Sequence, residues 1–402
     1  MAVQGTCDQK FQEVRQEFER NFAERGEVGA SACVTVGGQT VVDLWGGTAN
    51  TETDTPWTDE TVSIVFSSTK GATAICAHVL ASRGELDLDA PVAKYWPEFA
   101  QAGKENIQVK MLLNHQAGLP AVREDLPQGA YADWDLMVNA LAKEEPFWEP
   151  GTRNGYHALT YGWLIGEVVR RVSGKSLGTF FRDEIAQPLG LDFWIGLPED
   201  KEPRVAPMIA AEPDPNSALF QEMATPGTLA ALAILNVGGY MGAVPEYDTR
   251  AAHAAEIGGA GGITNARGLA GMYEPLALGG KKGAVELVNA DTLARMGRVS
   301  SSTGRDAVLV MPTRFALGFM KTMDNRKEPA GVQDSVLFSE EAFGHVGAGG
   351  SFGFADPKAG MSFGYTMNRM GSGASLNERG QSLVDAVYRA LGYQTSSSGA
   401  WQ

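Results

Sequence analysis

Ser67 and Lys70 stand three residues apart in Phe66-Ser67-Ser68-Thr69-Lys70, where the pattern of the chain turns helical. Three residues on a helix turn through about 300°, so these two side chains share one face while Ser68 points elsewhere. Spacing therefore selects Ser67, not Ser68, as the serine that meets Lys70. A serine hydroxyl is a weak nucleophile until a neighbouring base accepts its proton, and a lysine does so only as the neutral amine. Burial, a second cation or a helix N-terminus each favours that form, and the helix start supplies the last. The chemistry open to an S-x-x-K pair is acyl transfer through a serine ester. Taken alone, a Ser-Ser-Thr cluster at a helix start is usually just an N-cap.

A second serine lies in Gly349-Gly350-Ser351-Phe352-Gly353, which matches the G-x-S-x-G of a nucleophile elbow. That elbow needs a strand-to-helix turn and a histidine later in the chain. No histidine follows His345, and Phe354-Ala355-Asp356-Pro357 reads as strand and turn, so Ser351 is not expected to act as a nucleophile. Gly174-Lys175-Ser176 has the tail of a phosphate-binding loop, but Val169 stands where the first glycine is needed. A helix stop followed by a helix start fits it better. Cys7, Cys33 and Cys76 and the five histidines are scattered, with no C-x-x-C or H-E-x-x-H. Neither a disulfide framework nor a metal site is expected, and no cofactor.

Positioning the pair falls to a chain of 402 residues, 44% hydrophobic and 20% charged, which is enough for a large core. The formal charge of -15 has the wrong sign for neutralising phosphates, so neither nucleic acid nor a membrane surface is an expected partner. No run approaches the roughly 20 apolar residues that span a bilayer. The opening segment is charged and amphipathic, unlike a signal peptide, which leads to an expected cytoplasmic location. Oligomeric state leaves no mark in the sequence.

Phe11, Val14, Phe18 and Phe22 predict a helix over 8–25, and two β-prone runs about Gly37-Gly38 predict a hairpin. Helices are expected over 67–83, 109–113, 134–143, 160–172, 177–185, 267–276 and 383–391, with strands over 315–320, 350–355 and 361–367. Residues 200–262 are rich in Ala and Gly and give no clear pattern. If the early hairpin and the late strands share one antiparallel sheet, the middle becomes an inserted helical lobe, with a site in the crevice between.

Four further strings stand downstream of S-x-x-K: Val109-Lys-Met-Leu-Leu-Asn-His-Gln-Ala-Gly-Leu119, Pro150-Gly-Thr-Arg-Asn-Gly-Tyr156, Gln187-Pro-Leu-Gly-Leu191 and Phe343-Gly-His345-Val-Gly-Ala348. In this order, over about 8–392, they resemble the class C β-lactamase-like serine hydrolases of the penicillin-binding-protein fold, and among them the family VIII carboxylesterases. The resemblance implies an α+β, two-lobe fold: an antiparallel sheet flanked by helices, with a mostly helical domain inserted. Boundaries would be 1–75 and 255–402 for the sheet domain and 76–254 for the insert.

By that resemblance Ser67 is acylated, Lys70 is a general base, and Tyr156 shares the proton work as a phenolate beside a lysine ammonium. The backbone N–H groups of Ser67 and Ala348 would hold the oxyanion, and His345, Gly347 and His157 would stand beside the substrate. Penicillin-recognising relatives carry an asparagine where Ala158 stands, and a permanent cation on the third motif, where this chain has His345. Both departures favour an uncharged short- to medium-chain ester over a β-lactam or peptide. An amidase, β-lactamase or acyltransferase of the same fold is the alternative, and a non-catalytic scaffold is a third, disfavoured by the intact Ser67, Lys70 and Tyr156.

Overall fold

The computed structural model describes residues 2–242 and 244–402. Both ends of the chain build one antiparallel sheet. Strands β1 (Gln4–Cys7), β2 (Gly29–Val36) and β3 (Gln39–Asn50) come from one end, and β4 (Phe343–Val346), β5 (Phe352–Asp356) and β6 (Met361–Met367) from the other. The order across the sheet is β1-β3-β2-β6-β5-β4, and Thr55–Pro56 pairs off β3 as a seventh strand. The seam between the two ends is β2 against β6, with Val36 opposite Met361 and Ala30 opposite Met367.

Helices α1 (Gln12–Glu24), α2 (Thr69–Ser82), α3 (Thr160–Ser173), α4 (Ala266–Ala277) and α5 (Glu378–Leu391) complete the frame. Side chains alternate across a strand, so Phe352, Phe354, Phe363 and Tyr365 share one face of β5 and β6. The Phe354 ring lies 6.4 Å from that of Tyr388 on α5, which closes this face. On the other face Gly353 pairs with Gly364, and a Cβ on either would run into α4. The missing side chains let α4 lie directly on the sheet.

Between the two ends, α2 packs against α3 and is buried from Thr69 to Leu80, apolar nearly all round as a central helix must be. Three two- or three-residue strands, Ser63–Ile64, Gly262–Thr264 and Phe193–Ile195, pair side by side and carry the start of α2 to the segment before Gly262. The architecture is the expected α+β with two lobes. The divide expected at 75/76 falls inside α2, a continuous helix. Among the described residues no helix is long and apolar enough to cross a membrane.

Several expected elements differ in detail. The helix over 177–185 is α-helical only to Phe181 and continues as a π turn, Arg182–Ala186. The strand over 315–320 is reduced to Thr313–Phe315, because Ala316 N–H donates to Phe319 O in a tight turn with Gly318 at φ 91°. Met320 then returns to pair with Gly344. The last helix starts at Glu378, capped by the Asn377 side chain. In the stretch without a clear pattern lie three short helices, Ala218–Met223, Leu229–Leu235 and Arg250–Ala254, each capped by a Ser or Thr.

Candidate active site

Ser67 is the middle residue of a single 3-10 turn, Phe66–Ser68, that leads into α2. Its neighbour Phe66 takes φ 41°, a left-handed conformation that costs a residue with a Cβ. The surroundings hold it there. The Phe66 ring packs edge-on to Tyr247 at 5.1 Å, and its carbonyl accepts from Thr69 Oγ1 at 2.5 Å. Ser67 is only partly buried, whereas Ser68 is sealed in and donates to Ser351 O at 3.1 Å.

One turn on, the fully buried Lys70 Nζ stands 3.0 Å from Ser67 Oγ, 2.6 Å from Ala158 O and 2.7 Å from Gly259 O. Two separate segments supply these carbonyls. They meet because Gly162 on α3 lies against Gly258 and Gly259 so closely that a Cβ would collide with their backbone. None of the three partners carries a full negative charge, so burial pushes the Lys70 amine well below the ordinary lysine range.

The Tyr156 ring lies 4.7 Å from Lys70 Nζ and stacks on Phe315, with His115 4.8 Å away. Burial raises the Tyr156 phenol above its ordinary value, its contact with Ser67 pulls the other way, and the charge of Asp306 raises it further. A lowered amine beside a raised phenol favours the uncharged form of each over the expected phenolate and ammonium.

Ser67 and Tyr156 open on a cleft with a cavity volume of about 190 Å³. Leu219, Met223, Ile234 and Met241 wall one side, Leu309 and Met320 another, and the Ala158 methyl faces in where an amide would stand in a penicillin-recognising relative. Ala348 also borders it. Ala348 opens a 3-10 turn, Ala348–Gly350, just as Ser67 sits in the opening turn before α2. The first N–H groups of such a turn have no partner inside it. Both residues line the one cleft.

His157, His345 and Gly347 are not among the residues that line the cleft. Along β4 and beyond, the twofold alternation gives Val346 and Ala348 to the cleft and turns His345 and Gly347 away. His345 is buried, with Nδ1 2.8 Å from Val346 O, and burial takes it down to about 3, so it is neutral as expected. His157 lies behind Tyr156: its Nε2 accepts from Leu119 N–H at 3.1 Å and its Nδ1 donates to Gly155 O at 2.7 Å. Ser351 is fully buried and donates to Val65 O at 2.9 Å, which leaves it out of reach of any substrate. The residue that sequence reasoning passed over is Asp306, whose carboxylate accepts from the Tyr156 N–H at 2.9 Å.

The family described as Beta-lactamase matches residues 14–388, taking in all of these groups. The chain belongs to the beta-lactamase family. Within it, the chain is 34% identical over 385 residues to "Esterase/beta-lactamase LipL" of Mycobacterium tuberculosis, covering 92% of this chain and 83% of that one. A crystal structure of a family VIII carboxylesterase superposes with a TM-score of 0.83 at 40% identity, covering 97% of this chain and 100% of the other. A penicillin-binding-protein homologue from Caulobacter crescentus superposes with a TM-score of 0.84 at 34% identity over the same shares. These similarities agree with the resemblance carried by the five sequence strings.

Proposed function

We propose that this beta-lactamase-family chain is a serine carboxylesterase that hydrolyses short- to medium-chain esters through an acyl-enzyme on Ser67. The observation that carries the reading is the set of partners around Lys70 Nζ. A neutral amine has two protons and one lone pair. The carbonyls of Ala158 and Gly259 can only accept, so they take both protons and leave the lone pair to the Ser67 hydroxyl. Arranged so, Ser67 O–H donates to Lys70, which is the alignment a general base requires.

Attack by Ser67 Oγ on the ester carbon passes its proton to Lys70, and the carbonyl oxygen becomes an oxyanion facing the Ser67 and Ala348 amides. When the carbon–oxygen bond to the alcohol breaks, the departing alkoxide takes a proton from the Tyr156 hydroxyl, and Lys70 returns one to Tyr156. Water then repeats the sequence in reverse and frees the acid. A neutral amine and a neutral phenol suit this relay, since each is in the state its first step consumes.

The cleft walls favour an ester. They offer apolar side chains to the acyl group, no cation to a substrate carboxylate, and a methyl at Ala158 to a substrate amide. Weak cephalosporin cleavage is a second reading, favoured by the double name of the mycobacterial relative. Hydrolysis of a p-nitrophenyl ester beside a chromogenic cephalosporin, with Ser67→Ala as control, tests both. Serine-dependent ester turnover with little cephalosporin cleavage is expected, and dominant cephalosporin cleavage would overturn the esterase assignment. The same reading divides the chain into a sheet domain of 1–75 and 255–402 and an insert of 76–254. A cytoplasmic site of action is supported by three free thiols, at Cys7, Cys33 and Cys76.

A further inference from the structure

Behind Tyr156, away from the cleft, lies a buried carboxylate that no part of the ester mechanism uses. Asp306 is fully buried. Its Oδ1 accepts from three backbone N–H groups, those of Tyr156 at 2.9 Å, Val308 at 2.8 Å and Leu309 at 3.0 Å, and Thr313 Oγ1 donates to Oδ2 at 3.3 Å. A second bond stitches the same two segments together, from Ala307 N–H to Asn154 O at 3.0 Å. The loop after Asp306 is also strained: Val310, a β-branched residue, holds φ 55° while its N–H donates to Asp306 O. Such a conformation persists only where surrounding bonds over-determine it. No ion pair to Asp306 is present among the described residues: burial raises its carboxyl, and N–H and O–H dipoles alone pull the other way. That is a costly way to close a loop unless the groups it holds must not move.

Those groups are a proton carrier and a wall of the acyl cleft. Tyr156 and Leu309 both line the cleft. We propose that Asp306 is a positioning residue, which clamps the Tyr156 backbone and the Val308–Leu309 segment into one unit and so couples proton delivery to acyl-chain fit. The proposal rests on the reading of Tyr156 as proton carrier. Its charge also acts on the phenol. Lys70, Ser67, His115, Tyr161 and His345 are the other polar groups facing Tyr156, and among all of these Asp306 is the carboxylate that opposes phenolate formation.

The test compares Asp306→Asn, Asp306→Ala and Tyr156→Phe in the full-length protein, on p-nitrophenyl esters from acetate to octanoate across pH. Asparagine keeps an acceptor oxygen for the three N–H groups and removes the charge, whereas alanine removes both. Asp306→Ala is expected to lose about 100-fold in kcat and to flatten the chain-length preference, as a displaced acid/base group and a loosened wall would. Asp306→Asn should recover kcat to within about tenfold of the original, while the alkaline fall in kcat moves to lower pH by about half a unit or more. A folded Asp306→Ala with unchanged kcat and chain-length preference would overturn the proposal, even if its thermal midpoint drops. Should the alanine variant fail to fold, Asp306→Ser, whose hydroxyl is too short to hold all three N–H groups, takes its place, and unchanged kcat and chain-length preference there overturn the proposal. Full activity of Tyr156→Phe would overturn the proton role on which the clamp rests. An inactive Tyr156→Phe beside a folded Asp306→Ala that keeps its kcat and chain-length preference would overturn the clamp alone.

Discussion

Lys70 Nζ stands 3.0 Å from Ser67 Oγ, in a pocket where two carbonyls take up the protons of the amine and none of its three partners is a carboxylate. Once the amine is neutral, as the proposed mechanism requires, its lone pair is left to accept from the Ser67 hydroxyl. The first consequence is that no permanent cation can replace Lys70. Lys70→Arg keeps the charge of an ordinary lysine but cannot shed a proton, so it and Ser67→Ala are each expected to lose about 1,000-fold or more in kcat/KM. Labelling by a fluorophosphonate should vanish in Ser67→Ala, and persistent labelling there would place the nucleophile elsewhere.

Tyr156→Phe removes one oxygen and leaves the ring stack with Phe315 in place. The fold should survive, and kcat should fall by about 100- to 10,000-fold, the range of a positioned acid/base group. A KM effect with kcat intact would make Tyr156 a wall residue.

The pH profile follows from the shifts. Burial lowers the Lys70 amine well below the lysine range, so its proton leaves at lower pH than that of an ordinary lysine. Tyr156 is raised, so its proton stays on. Rates in kcat/KM should be near their plateau at neutral pH, fall in acid as Lys70 is protonated, and fall in alkali only above the ordinary phenol range. A rise that continues up to the ordinary lysine range would mean that Lys70 is charged at rest.

Stability should fall in acid for a separate reason. Burial depresses His78 to about 4, and His157 and His345 to about 3 each. The unfolded chain, with ordinary histidines, binds more protons than the folded one below about pH 6.5, so stability is present above that value and lost as pH falls. Each of the three should cost about 2 kcal/mol at pH 5. His253, raised by Asp248 and Glu202, acts in the opposite sense but is one histidine against four, since burial lowers His115 as well. Urea midpoints at pH 7 and pH 5 check this, and equal midpoints would contradict it.

Ser351→Ala separates the two serine motifs. Losing the buried bond to Val65 O should lower stability by about 1–3 kcal/mol, while fluorophosphonate labelling of Ser67 continues. Loss of labelling in a folded Ser351→Ala would revive the elbow reading of that string.

What the sequence disclosed was local. Ser67 and Lys70 were readable because a spacing of three on a helix is a geometric statement, and β6 was readable because Met361–Met367 is a short run of strand-forming residues bounded by a turn. What stayed hidden was long-range or made of backbone. The partners of Lys70 are carbonyls, which every residue possesses, so nothing marks Ala158 or Gly259 as special. Asp306 looks like any acidic loop residue until Tyr156 arrives from 150 positions away. His345 and His157 were expected beside the substrate because motif position says which residues are near, while strand alternation and the bond of His157 Nδ1 to Gly155 O decide which way they face. The three short helices between 218 and 254 did carry a signal, since Ser217, Thr228 and Thr249 each cap a helix, but the Ala/Gly background masked it.

The seam between β2 and β6 bears on how the protein is made. As the chain leaves the ribosome, β2 can pair at once with β3 across the Gly37-Gly38 turn, but its other edge stays open until nearly the whole chain has emerged and β6 arrives. An unpaired apolar edge invites neighbouring chains to add to it. Synthesis at high concentration should therefore be limited by aggregation of nascent chains, and slower translation or a chaperone that shields β2 should raise the soluble yield.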